Sequence, residues 1–343
     1  MRQLQRTAIV GGALSACVLL LGAGISLSAV PQPDRSAWQA KFQRPAEIPF
    51  PDNNPYSDAK ARLGRMIFWD PLLSGSKTLS CATCHNPGLS WGDGLAHAEG
   101  EKALALRAPT LLNVAWSPKL GWDGHFRNLE AVAFGPITTP GNMNLPEKVL
   151  FERLSAIPGY VNAFDDAFGE GDITKKKVEL ALATFERTIV SGQAPFDRWI
   201  KGDNAAIDAS AKRGFDLFVG KAHCASCHSG WSFTDSSFHD IGTATGNDVG
   251  RGKLFPTSVK LQYAFKTPTL RDVARRGPYM HDGSVASLEA VIDLYDRGGI
   301  DRPSRSELIA PLGLSKGEKA DLVAFLRTLT EAPRTVEIPT LPR

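Results

Sequence analysis

The chain has 343 residues, of which 43% are hydrophobic and 22% charged. That ordinary globular composition excludes a collagen, a disordered chain and a multi-span membrane protein. The net charge of +3 is too small to argue for a nucleic-acid partner, and the length suffices for about two domains.

In chain order, Arg2 and Arg6 come first, followed by an uncharged run from Thr7 to Val30. A basic start before an apolar run reads as an export signal. The run is also long enough to span a bilayer. Residues 1–30 are therefore expected to be a signal peptide or an inner-membrane anchor, with the body in the periplasm. Cys17 closes Leu14-Ser15-Ala16-Cys17, which resembles a lipoprotein box. Residues 31–55 are Pro-rich and read as extended. A helix is expected over 59–68, followed by Cys81-Ala82-Thr83-Cys84-His85. Further helices are expected over 175–190 and 210–219, the latter leading into Cys224-Ala225-Ser226-Cys227-His228. Ser315 and Glu318 form a capping box. The helix they open aligns Leu322, Phe325, Leu326 and Leu329 on one face. Residues 332–343 carry three prolines and read as a surface tail. No convincing apolar–polar alternation occurs, so the chain reads as mostly α.

An internal repeat organises these elements. Pro109-Thr110-Leu111, Asp123-Gly124 and Leu129-Glu130-Ala131-Val132 recur as Pro268-Thr269-Leu270, Asp282-Gly283 and Leu288-Glu289-Ala290-Val291, all at one constant offset with no gap. Each copy lies downstream of one Cys-Xaa-Xaa-Cys-His. Two tandem cytochrome c-like domains are expected, over 56–195 and 196–332.

Two cysteines three apart with histidine next is the attachment spacing of c-type haem. The thiols add to the haem vinyl groups and the histidine ligates the iron. A zinc site built from all four cysteines would need the pairs close in one small module, whereas Cys81 and Cys224 stand in separate repeats. A redox dithiol does not call for histidine next door twice. Two covalent haems are expected, on Cys81, Cys84, Cys224 and Cys227, with His85 and His228 as proximal ligands.

The sixth ligands separate a catalyst from an electron carrier. Leu288, Val291, Ile292 and Tyr295 share a helical face, and the position equivalent to Tyr295 is Pro136. Proline offers no atom to iron. The expectation is a second haem capped by Tyr295 and a first haem with an open face; the competing reading of Tyr295 is a hydrogen-bonded core tyrosine. Met280, in a turn before His281-Asp282-Gly283, and His97, a short way downstream of His85, are the alternative ligands. Trp122 occupies the position of His281 in the other repeat. Trp199, among Asp197, Arg198 and Lys201, reads as a surface tryptophan.

Gly121-Trp122-Asp123-Gly124, Phe196-Asp197-Arg198-Trp199 and Pro278-Tyr279-Met280-His281-Asp282-Gly283-Ser284, beside the two haem motifs, resemble the bacterial di-haem cytochrome c peroxidase superfamily. The resemblance covers about 45–330. Tyr295-Asp296-Arg297-Gly298-Gly299 resembles its MauG/MbnH-like branch. Such proteins use hydrogen peroxide to raise their haems to high-valent states and oxidise tryptophan side chains of a partner protein at long range. The resemblance implies a bridging tryptophan between the haems, here Trp122, and a calcium ion between them. Two positions depart from the pattern. Asn142, before Met143, stands where the family places a glutamate in the open haem pocket. Arg107, before Ala108-Pro109, stands where the family places a calcium-binding asparagine, which argues against the ion. Trp199 is expected to be the exit to the partner. The alternative function is a cytochrome c peroxidase that reduces peroxide to water with electrons from a small cytochrome or cupredoxin. A plain electron carrier would instead have two six-coordinate haems.

Overall fold

The structure, a computed structural model, describes residues 36–342. The expected leader, with Cys17, lies outside the described residues. Among those residues no helix is long and apolar enough to cross a membrane.

Two helix pairs carry the fold. The helix Asp58–Trp69 packs on Lys175–Arg187, and Ala209–Val219 packs on Lys316–Arg327. The helices begin where local chemistry satisfies their first amides. Ser57 and Asp208 accept from backbone N–H groups three residues on, and Ser315 with Glu318 closes the expected capping box. Each pair crosses closely over a glycine. A Cβ on Gly64 would run into the Ala181 carbonyl and approach the Phe185 Cβ to 2.9 Å. A Cβ on Gly214 would run into the Asp321 carbonyl and approach the Phe325 Cβ to 2.8 Å.

Each pair has its own core. The first gathers Leu63, Ile67, Phe68, Tyr160, Phe164 and Leu182; the second gathers Phe196, Phe215, Phe218, Phe233, Phe325 and Leu326. The ends of the chain cross over. The segment expected to be extended contains the helix Ser36–Lys41, and Phe42 just after it stacks on Phe233 in the second core. Its aromatic residues, not its prolines, decide its conformation there. The tail runs back to the first half, where Val336 packs and Glu337 accepts from Arg65.

The repeat is visible in local conformation. Asn113 and Asp272 are both left-handed, at φ 60° and 56°, and so are Gly124 and Gly283, at 70° and 65°. Leu120 bridges Phe126 as Tyr279 bridges Val285. Asn128 caps Leu129–Ala133 as Ser287 caps Leu288–Arg297. Extended pairing is slight: Phe238–His239 pairs antiparallel with Phe265–Lys266, His239 opposite Phe265.

Candidate haem sites and the junction between them

Cys81–Cys84 forms a single helical turn, and the His85 amide closes it on the Cys81 carbonyl at 2.9 Å. The His228 amide closes the second motif on Cys224 at 2.8 Å. Each histidine is then oriented in the same way. His85 Nδ1 lies 3.3 Å from the Trp91 carbonyl, and His228 Nδ1 lies 2.9 Å from that of Phe233. Trp91 and Phe233 are both left-handed, at φ 62° and 54°, which turns those carbonyls inward. A carbonyl only accepts, so Nδ1 carries the proton and Nε2 is left for a metal. Burial lowers both imidazole pKa values and keeps them neutral, the form that ligates. The four cysteines are free of disulfides, and burial pushes the Cys84 thiol up to about 11 and Cys224 to about 12.

Both motifs open on one continuous cavity of about 820 Å³, walled by apolar side chains such as Leu111, Leu112, Leu129, Val132, Leu288 and Ile292. Its polar wall is incomplete. Arg107 Nε, Arg276 Nε, Asn142 Oδ1 and Glu186 Oε2 are buried on it without a hydrogen-bond partner. Paired cysteines beside an Nε2-ready histidine, an apolar slot and unmet arginine donors fit a flat macrocycle that carries carboxylates. The residues present therefore suit two c-type haems.

Tyr295, Pro136, Met280, Asn142 and Trp122 all line this cavity. The helix Leu288–Arg297 runs unbroken through Tyr295. Its counterpart stops at Ala133, and a separate short turn, Gly135–Thr138, begins with Pro136 among its first residues. Met280 is left-handed at φ 71°, in the expected turn. His97, by contrast, is exposed, holds the Ala105 carbonyl at 3.2 Å and is not on the cavity wall.

Trp122 sits at the junction of the repeats. Its Nε1 donates to the Arg107 carbonyl at 3.0 Å, and its ring meets His281 edge to face at 6.4 Å. The Arg107 amide donates to the His281 carbonyl at 3.1 Å, and the Lys266 amide to the Trp122 carbonyl at 2.8 Å. The Arg107 Nη2 donates to the Arg276 carbonyl at 2.8 Å.

Trp199 is the clear correction. It is only 4% exposed, in the helix Pro195–Ile200, against Phe196 and Phe215 at 5.8 and 5.1 Å. Its charged neighbour Asp197 faces inward, paired with Arg271 at 2.9 Å and Arg44 at 3.2 Å. Of the charges beside it only Asp197 lies inside, whereas Arg198 and Lys201 are exposed; Trp199 itself is buried and is not the surface tryptophan expected.

Three wall residues escaped the motif reading: Glu186, Lys266 and Arg276. Burial pushes the Glu186 carboxyl up to about 8 and the Lys266 amine down to about 8. Lys266 was legible only as the counterpart of Arg107 at the repeat offset.

Comparison with known proteins finds related chains along most of the sequence. The family model for di-haem cytochrome c peroxidase matches residues 58–205, and that for cytochrome c matches 211–330. The methylamine utilization protein MauG of Methylorubrum extorquens is 52% identical, over 97% of this chain and 96% of its own. The cytochrome-c peroxidase IdrP1 of a Pseudomonas species is 36% identical, over 86% of this chain and 87% of its own. A solved MauG-like protein associated with microbial copper homeostasis superposes with a TM-score of 0.78 at 30% identity, covering 85% of this chain and 95% of that one.

Proposed function

Because the chain belongs to the di-haem cytochrome c peroxidase family, and so is a haem oxidoreductase of peroxidase type, we propose that it uses hydrogen peroxide to oxidise tryptophan side chains of a partner protein. The observation that carries this reading is the pair Tyr295 and Pro136, at equivalent repeat positions on one cavity wall. One offers an oxygen ligand and the other offers nothing. The greater identity to a protein of methylamine utilization than to a peroxidase supports it, and points to a partner in amine utilization.

When bound, the two haems supply the site of peroxide reduction and two one-electron centres. Hydrogen peroxide with two protons and two electrons gives two waters; a partner tryptophan that takes up the oxygen of one water, replacing a ring C–H by C–OH, supplies those two electrons and two protons. His85 and His228 hold the cofactors, each fixed in tautomer by its carbonyl. Pro136, which has no atom to offer iron, would leave the first haem open to peroxide. Asn142 can orient peroxide by hydrogen bonding but cannot take up its proton. Glu186, with its pKa pushed up to about 8, is protonated at neutral pH on the same wall and can hold a proton there. Tyr295, its phenol standing at the end of an apolar helical face, would hold the second haem in preference to Met280. Trp122 lies between the two halves of the cavity and passes electrons between them. The Arg107 guanidinium takes the place of a calcium ion at the Arg276 carbonyl. With an export leader, the protein and its partner meet in the periplasm.

The test is peroxide added to holoprotein with a candidate partner exported from the same amine-utilization system. The expected result is a mass increase on partner tryptophans, slowed in Trp122→Phe. Peroxide consumption that leaves the partner unmodified and requires a reduced small cytochrome or cupredoxin would establish the alternative, a cytochrome c peroxidase.

A further inference from the structure

We propose that Arg107 and Lys266 form a repeat-related pair of carboxylate-binding cations, one from each half of the chain, that hold propionate groups of the two haems at the junction, with Arg276 as a second donor beside Arg107.

The pairing rests on the repeat. Arg107 and Lys266 occupy equivalent positions of the two copies, as do their backbone acceptors Trp122 and His281. Each amide crosses to the opposite repeat: Arg107 N–H to the His281 carbonyl, Lys266 N–H to the Trp122 carbonyl. The side chains cross in the same reciprocal way. Arg107 Nη2 donates to the Arg276 carbonyl, and Lys266 Nζ donates to the Ser117 hydroxyl at 2.9 Å. Ser117 and Arg276 are again equivalent positions, at the same offset. The same position in both copies thus carries a cation held across the junction by the other copy.

Both cations lack a counter-ion. Arg107 is 8% exposed and Lys266 is half-buried, and both face the cavity. Among the described residues neither makes an ion pair. The acids on the cavity wall, Asp123 and Glu186, pair with neither, and Asp93 attracts Arg107 only from farther away. The Nε atoms of Arg107 and Arg276 have no partner at all. Isolated buried cations are strongly unfavourable, so the site is built for an anion. The family's cofactor brings carboxylates into this cavity. Since the Arg107 carbonyl and the Lys266 amide also fix Trp122, binding there couples haem seating to the position of the indole.

This inference rests on the two-haem reading but not on the protein-oxidase one, and its test uses no partner. Holoprotein variants Arg107→Gln and Lys266→Gln are compared with the charge-conserving Arg107→Lys and Lys266→Arg. Redox titration followed by visible absorbance and resonance Raman spectra of the propionate bending modes are recorded. Each neutral variant should lower the midpoint potential of a different haem, because a lost cation favours the ferric form. Its propionate band should shift, while the charge-conserving variants stay near wild type. Failure of haem loading in the neutral variants alone would support the same assignment. Wild-type potentials and propionate bands in both neutral variants would overturn it, as would equal loss of haem in the neutral and charge-conserving pairs.

Discussion

Trp122 and His281, equivalent residues of the two repeats, touch each other edge to face with ring centroids 6.4 Å apart. Contact between equivalents is what a two-fold-like arrangement of the halves produces. The reciprocal bonds from Arg107 to His281 and from Lys266 to Trp122 repeat the relation in the backbone. The symmetry is broken where chemistry differs. Tryptophan, a residue that can lose an electron, stands opposite a histidine held by Asp248 at 2.6 Å and stacked on Phe265 at 3.6 Å.

The close helix crossings make a sharp packing prediction. Gly64→Ala or Gly214→Ala would force a Cβ into the Ala181 or Asp321 carbonyl. Each should cost about 1–3 kcal/mol or more, because the helix pair must separate. Chemical denaturation of the holoprotein measures it. A variant as stable as wild type would show that the crossings are looser than described.

Asp197 gives a prediction with a pH sign. Burial alone would raise its pKa, but Arg271 and Arg44 outweigh burial and hold the carboxyl below the usual range. Its stabilising contribution is therefore present above the unfolded carboxylate pKa of about 4 and is lost as pH falls through the lower folded value. Asp197→Asn leaves the fully buried Arg271 without its counter-charge and should cost about 3–5 kcal/mol at neutral pH. The deficit should shrink in acid. A deficit that grows in acid would contradict the assignment.

How far the sequence could be read follows from the kind of constraint involved. Covalent haem attachment fixes Cys-Xaa-Xaa-Cys-His in local sequence, so both motifs were plain. The ungapped repeat made Tyr295 and Pro136 comparable before any coordinates. Trp199 was misplaced because the partners of its neighbour Asp197, Arg271 and Arg44, are both remote in the chain. No local pattern separates an internal ion network from a solvated one. Lys266 and Arg107 are likewise aligned by the repeat, but that both face the cavity is a tertiary fact.

The Arg107 contact also predicts the effect of chelation. With its guanidinium on the Arg276 carbonyl at 2.8 Å, no divalent ion is needed there. Prolonged treatment with EDTA should leave the visible and electron paramagnetic resonance spectra of both haems unchanged. A spectral change that added calcium reverses would refute this.

The central claim is that equivalent positions in one cavity give the two haems unlike coordination, Pro136 leaving one open and Tyr295 capping the other. Electron paramagnetic resonance of the resting ferric holoprotein, recorded for wild type and Tyr295→Phe, tests it most directly. The account predicts one high-spin and one low-spin haem in wild type, with the low-spin signal lost or altered in the variant. Two low-spin haems in wild type, or a low-spin signal that Tyr295→Phe leaves untouched, would contradict it.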